Sequence, residues 1–180
     1  LPANFRQIAK AFAVNKSSKQ LLNIEIKSKV STQDLEMLDY LAFKLIGQGS
    51  YFYSSLTLNN LTRMRDINSD VFLSFIQNPA KRSMEILRND LKKGAGSDPI
   101  FVRNEALLED LAGAASRRYK EYRYDDARGM TKLKKALKYN YGLAMDIRQY
   151  TQRASKIKTL VDKHSIPIAT YTINGQGYHE

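Results

Sequence analysis

The 180-residue chain has no cysteine, no tryptophan and only four prolines. Without cysteine there is no disulfide, no thiolate metal site and no thiol nucleophile. No run approaches the ~18 consecutive apolar residues of a membrane-spanning helix. Histidine is scarce, and His164 and His179 have no carboxylate pattern around them. A metal site needs three or four converging ligands. One histidine therefore reads as a helix-end residue and the other as part of a solvated tail. The HExxH, Walker A and GxSxG patterns are all missing. Gly47-Gln48-Gly49 follows no predicted strand and is too short for a phosphate loop, so it reads as a helix break. Asp125-Asp126, near Arg123 and Arg128, reads as a charge-balanced turn and cap, not as a catalytic pair. The expectation is a protein that is not an enzyme, with no cofactor, metal or small-molecule substrate.

What the chain does have is positive charge, unevenly placed. Its net charge is +11, with 43% hydrophobic residues, enough for the core of one domain. Residues 117–163 hold 14 Lys/Arg against 5 Asp/Glu, a net of +9, whereas the rest holds 15 against 13. Tyr119, Tyr122, Tyr124, Tyr139, Tyr141 and Tyr150 are threaded through the same stretch. A field this lopsided favours a negative partner: nucleic acid, anionic lipid or an acidic protein face. The candidate partner-binding residues are Arg117, Arg118, Lys120 and Arg123 on one helix and Lys132, Lys134, Lys135 and Lys138 on the next. Antiparallel packing would bring both clusters to one end of a bundle. Tyr119, Tyr122 and Tyr141 fall on or beside apolar stripes, which weakens a stacking platform for single-stranded nucleic acid. Membrane-surface binding ranks third, because the apolar stripe of 131–163 is committed to the core.

Apolar periodicity predicts mostly helix. Phe5, Ile8, Ala9 and Phe12 have helical spacing over 3–14. Residues 19–30 are ambiguous, because Leu22, Ile24 and Ile26 alternate like a short strand. Ser31 and Thr32 can cap a helix carrying Leu35, Leu38 and Leu45. Residues 51–66 read as a second helix after the glycine break. Ser69 is expected to cap a third, with Phe72, Phe75, Met84, Leu87 and Leu91 on one face and a kink or restart at Pro79. Gly94 ends it. Leu108, Leu111, Ala115, Tyr119 and Tyr122 mark the next. Thr131 opens the longest, 131–163, whose apolar residues recur every three or four positions over roughly 50 Å. Ile168–Ile173 is β-prone. The expectation is an all-α protein: an up-and-down four-helix bundle at 32–165, an N-terminal extension at 1–31 and an extended C-terminal tail at 166–180 that needs a partner surface.

One segment carries a family resemblance. Residues 77–92, from Gln77-Asn78 through Leu87-Arg88-Asn89-Asp90-Leu91-Lys92, are similar to the second bundle helix of PsbQ. PsbQ is an extrinsic subunit on the lumenal side of photosystem II. Gln77, Asn78, Lys81, Leu87, Arg88, Asp90, Leu91 and Lys92 match in register, and the similar helical order extends it over roughly 70–150. The chain departs from the plant pattern in several ways. Phe72 or Phe75 replaces the family tryptophan, the proline-rich N-terminus is missing, glycines interrupt the first helix, and the chain continues past the last one. These features point to a divergent branch, for example a red-lineage algal relative.

The resemblance implies a non-catalytic role in photosynthesis. It implies a peripheral protein of the chloroplast thylakoid lumen, docked on inner antenna proteins and other extrinsic subunits. There it would help oxygen evolution by retaining calcium and chloride, with no nucleic-acid partner. The chloroplast NADH-dehydrogenase-like complex, which also uses PsbQ-like subunits, is an alternative docking site. The start at Leu1 fits removal of a presequence. A basic nucleic-acid-binding or ribosome-associated protein is the alternative function.

Overall fold

The computed structural model describes residues 4–95, Gly113 and 123–171. Seven helices and five strands occur among the described residues. In chain order they are α1 (Phe5–Asn15), β1 (Leu22–Glu25), α2 (Thr32–Ile46), β2 (Tyr51–Ser55), α3 (Leu58–Ile67), β3 (Leu73–Ile76), α4 (Lys81–Ala95), α5 (Ala127–Leu137), β4 (Tyr141–Asp146), α6 (Ile147–Gln152), α7 (Ala154–His164) and β5 (Ile168–Tyr171). The fold is α/β. The expected all-α four-helix bundle is overturned by these strands, whose pairings are parallel. The chain divides into two compact units, Leu1–Ile76 with Lys134–Gly142, and Gln77–Leu133 with Leu143–Glu180.

In the first unit β1, β2 and β3 pair in parallel, with Leu22 opposite Tyr51 and Tyr53 opposite Leu73. Parallel neighbours need a crossover, and α2 and α3 supply the two. α2 starts at a capping box: Asp34 N–H donates to Ser31 Oγ at 3.0 Å, and Ser31 N–H donates to Asp34 Oδ2 at 3.2 Å. It buries Leu35, Ala42 and Ile46 and ends at Gly47, whose φ of +92° suits a residue without a β-carbon. The cap at Ser31 and the break at the glycines are as expected from sequence. So is helix α1.

The stretch 51–66 is not one helix but β2 followed by α3. In β2, Tyr51, Tyr53, Ser54 and Ser55 are all buried. A parallel strand covered on both faces loses the two-residue alternation that advertises a strand. Ser69 caps no helix either. The Asn68 side-chain oxygen accepts from the amides of Asp70 and Val71, at 3.0 and 3.1 Å, and turns the chain into β3. The strand reading of 19–30 was the correct alternative, since β1 pairs with β2.

In the second unit β4 and β5 pair in parallel, with Leu143 opposite Ile168 and Asp146 opposite Tyr171. Residues 166–171 therefore include a sheet strand and do not form a tail awaiting a partner. The helix expected over 131–163 does not exist as one piece. α5 stops at Leu137, and Lys138 and Asn140 take left-handed φ values of 66° and 48°. β4, α6 and α7 follow. The steps of three and four across Leu137, Tyr141 and Ala144 are coincidental, because β4 is buried on both faces. The PsbQ-like segment is also split: Gln77–Ala80 is a strand-to-helix turn, and only from Lys81 is it helical. The helix expected around Leu108–Tyr122 lies outside the described residues.

Candidate functional site

In parallel α/β folds, ligands bind beyond the carboxyl ends of the strands. In the second unit that end is rich in buried polar groups. Gln77 immediately follows β3 and is only 1% exposed. Its amide donates to the Ala144 carbonyl at 2.8 Å, and its own carbonyl accepts from the Tyr171 hydroxyl at the end of β5. Its side-chain oxygen accepts from the Tyr124 amide at 2.9 Å. Its Nε2 is buried and has no hydrogen-bond partner among the described residues.

Asp125 follows Tyr124, whose amide holds the Gln77 side chain. Its carboxylate is fully buried and accepts from Arg123 Nε at 3.1 Å, from Gln149 Nε2 at 3.2 Å, and from Arg153 Nη1. Gln149 completes the bridge by accepting from the Ala80 amide at 3.2 Å. Asp146, the last residue of β4, caps α6 by accepting from the Arg148 amide at 2.9 Å, and its other oxygen holds Arg148 Nη1 at 2.9 Å. The segments 77–80, 123–126 and 146–153 are thus bound together, 77–80 to the other two by side-chain to backbone bonds and 123–126 to 146–153 by side chains alone.

Glycine at 129 lets the 123–124 segment lie against the first turn of α5. A β-carbon there would collide with the Arg123 carbonyl and with Tyr124 backbone atoms. The Gly129 amide donates to Asp126 Oδ1 at 2.8 Å, so the reading of Asp125-Asp126 as a balanced turn and cap agrees with the structure.

Three guanidinium groups, of Arg123, Arg148 and Arg153, meet two buried carboxylates here. Asp126 lies 3.6 Å from Arg123 as well, so three carboxylates balance the three guanidinium groups, and the Gln77 Nε2, without a hydrogen-bond partner among the described residues, is a donor. A donor so placed meets an anion or a carbonyl-bearing group, not a cation. No group of three His, Asp or Glu side chains among the described residues is arranged to hold a metal ion.

Of the expected partner-binding residues, Arg123 belongs to this site. Arg117, Arg118 and Lys120 lie outside the described residues. Arg123 pairs with Asp125 and, at 3.6 Å, with Asp126. Lys132 stands 5.6 Å from the centroid of the Tyr124 ring. Lys134 and Lys135 are exposed in the last turn of α5. Lys138 sits past the helix end, 3.8 Å from Asp66. The bundle at whose end the two helical clusters were expected to meet is replaced by the α/β fold. Gln77, Asp146, Gln149, Arg153 and Tyr171 were not read from the sequence as site residues. Gln77-Asn78-Pro79 after the apolar run Val71–Ile76 was the available signal for a strand-to-helix turn. No family model matches the chain, and a search of the curated proteins finds no match.

Proposed function

We propose that the protein is a binding protein for a small anionic ligand, a phosphate or carboxylate compound, held at the carboxyl end of the parallel strands of the second unit. The observation that supports it best is the Gln77 carboxamide, buried with its Nε2 unpartnered among the described residues while its other polar groups are engaged. A buried donor left unpaired costs about 1–3 kcal/mol, so a folded chain retains one where a ligand or ordered water completes it. The lumenal docking role implied by the PsbQ resemblance came with a helical bundle, and an α/β chain gives it no support.

The test is titration with inorganic phosphate and with acetate, followed by the amide signals of Tyr124 and the side chain of Gln77. Saturable shifts are expected for at least one probe. Gln77→Leu should weaken that binding by about tenfold while leaving the circular dichroism unchanged. Flat signals with both probes, or a Gln77→Leu variant that binds as well as the parent, would sink the reading.

A second reading, binding to a nucleic-acid backbone, is favoured by α5 alone. Its buried face is Met130, Leu133 and Leu137, and its outer face carries Lys132, Lys134 and Lys135. RNA affinity that falls steeply with salt, and that is lost on changing these three lysines to glutamate, would favour it.

A further inference from the structure

We infer that the outer face of α2 is a self-association surface that pairs two copies of this chain antiparallel about Tyr40. Met37, Tyr40 and Phe43 recur every third residue on this face and are 56%, 56% and 48% exposed, although α2 buries Leu35, Ala42 and Ile46 on its opposite side. Three large apolar side chains in one exposed row are more than scattered surface hydrophobes. Between the two ends of the row the charge changes sign. Glu36 stands at the start and Lys44 at the end, both exposed. The Lys44 ammonium lies 5.8 and 5.9 Å from the ring centroids of Tyr40 and Phe43, over the apolar row itself. Neither Glu36 nor Lys44 has an ion-pair partner among the described residues.

These positions are self-complementary. In a two-fold interface each contact occurs twice, with the roles of the copies exchanged. Two α2 helices laid antiparallel with Tyr40 on the axis place Met37 opposite Phe43 of the second copy. The same register places Glu36 opposite Lys44 of the second copy, and does so twice. A parallel alignment would instead set Lys44 beside Lys44. The charges therefore choose the antiparallel register, and the apolar row supplies the buried centre. One helix face per copy is a small interface, so the dimer is a weak one, with a dissociation constant in the micromolar range or above.

Sedimentation velocity on the full chain, over a range of concentrations and at low and high salt, tests this. The mass is expected to rise toward that of a dimer with concentration, less so at high salt. Tyr40→Glu should remain a folded monomer. Glu36→Lys and Lys44→Glu should each weaken association about fivefold or more, since each sets like charges face to face. The double variant Glu36→Lys/Lys44→Glu should recover most of the loss, because the exchange restores both pairs. Three results would overturn the inference: a parent chain monomeric throughout, a Tyr40→Glu variant that still dimerises, or a double variant no tighter than the singles. If Tyr40→Glu loses its circular dichroism signal, the charge exchange decides alone.

Discussion

Arg65 on α3 donates from Nη2 to the Asn140 carbonyl at 3.0 Å, just ahead of β4. The same guanidinium reaches the carbonyls of Leu137 and Tyr139 at 3.2 and 2.9 Å, and those of Asn68 and Ser69. All five of its N–H groups are therefore used, every one on backbone. The Tyr139 ring covers it at 4.9 Å. The residue is 3% exposed, and burial lowers its pKa from the usual arginine value, with the neighbouring Tyr139 and Asp70 opposing. The carbonyls that accept from it favour the charged form of the guanidinium. Its place is structural: it ties the C-terminal turn of α5 to the loop that precedes β3.

Replacement of Arg65 should accordingly be costly. Arg65→Met removes the guanidinium from five carbonyls, of which those of Leu137 and Asn140 keep backbone donors, and should destabilise the fold by about 3 kcal/mol or more. Arg65→Lys should be only slightly milder, because three flexible donors cannot reproduce a planar fork. Urea denaturation at neutral pH reads both values. A loss below about 1 kcal/mol for Met would show that water replaces the guanidinium freely.

Asp39 on α2 collects the hydroxyls of Tyr51 and Tyr53, at 3.2 and 3.0 Å, and the Asn68 amide at 3.0 Å. Burial first, and then the Asp39 charge, push both tyrosines well above the usual phenol range. For a group whose folded pKa is raised, the stabilisation is complete below the unfolded value of about 10 and is lost as pH rises beyond it. Stability should therefore fall steadily above about pH 10, and the Tyr51→Phe/Tyr53→Phe variant should show a shallower decline. Tyr53→Phe alone should cost about 1–2 kcal/mol at neutral pH. Denaturation curves at several alkaline pH values give the slope, with tyrosinate absorbance as an independent check.

Asp125→Ala strips the shared acceptor from Arg123, Gln149 and Arg153. Removing one member of a buried charge network costs about 3–5 kcal/mol, and the partial exposure of the two arginines places the expected loss near the lower end. Asp125→Asn, which keeps the shape, should lose less. Thermal unfolding of the three proteins side by side is sufficient.

Gly129→Ala introduces a β-carbon where the backbone of residues 123–124 already lies. The segment must move, and with it the Tyr124 amide that holds Gln77. The variant should melt at a lower temperature and bind the anionic probe less tightly, although residue 129 touches no ligand. An unchanged melting temperature would mean that the turn has slack.

Local chemistry was readable without the fold. Asn4 with Gln7 and Ser31 with Asp34 form the reciprocal caps that start α1 and α2, and their spacing is a property of a few neighbouring residues. Gly47 stops α2 for an equally local reason. The candidate site was not readable in the same way. Gln77, Tyr124, Asp125, Gln149 and Tyr171 are spread over nearly a hundred residues, and only the sheet brings them together.

By itself, the sequence determined where α2 begins and ends, the absence of thiol chemistry and the strong positive charge, because each depends on residue type at short range. Tertiary structure alone decided that Tyr51–Ser55, Leu73–Ile76 and Tyr141–Asp146 are strands. Parallel strands satisfy their backbone groups on distant partners and bury both faces, so their own residues carry no alternation to mark them. Helical spacing of apolar residues is therefore evidence of burial, and the pairing of remote segments settles which geometry buries them.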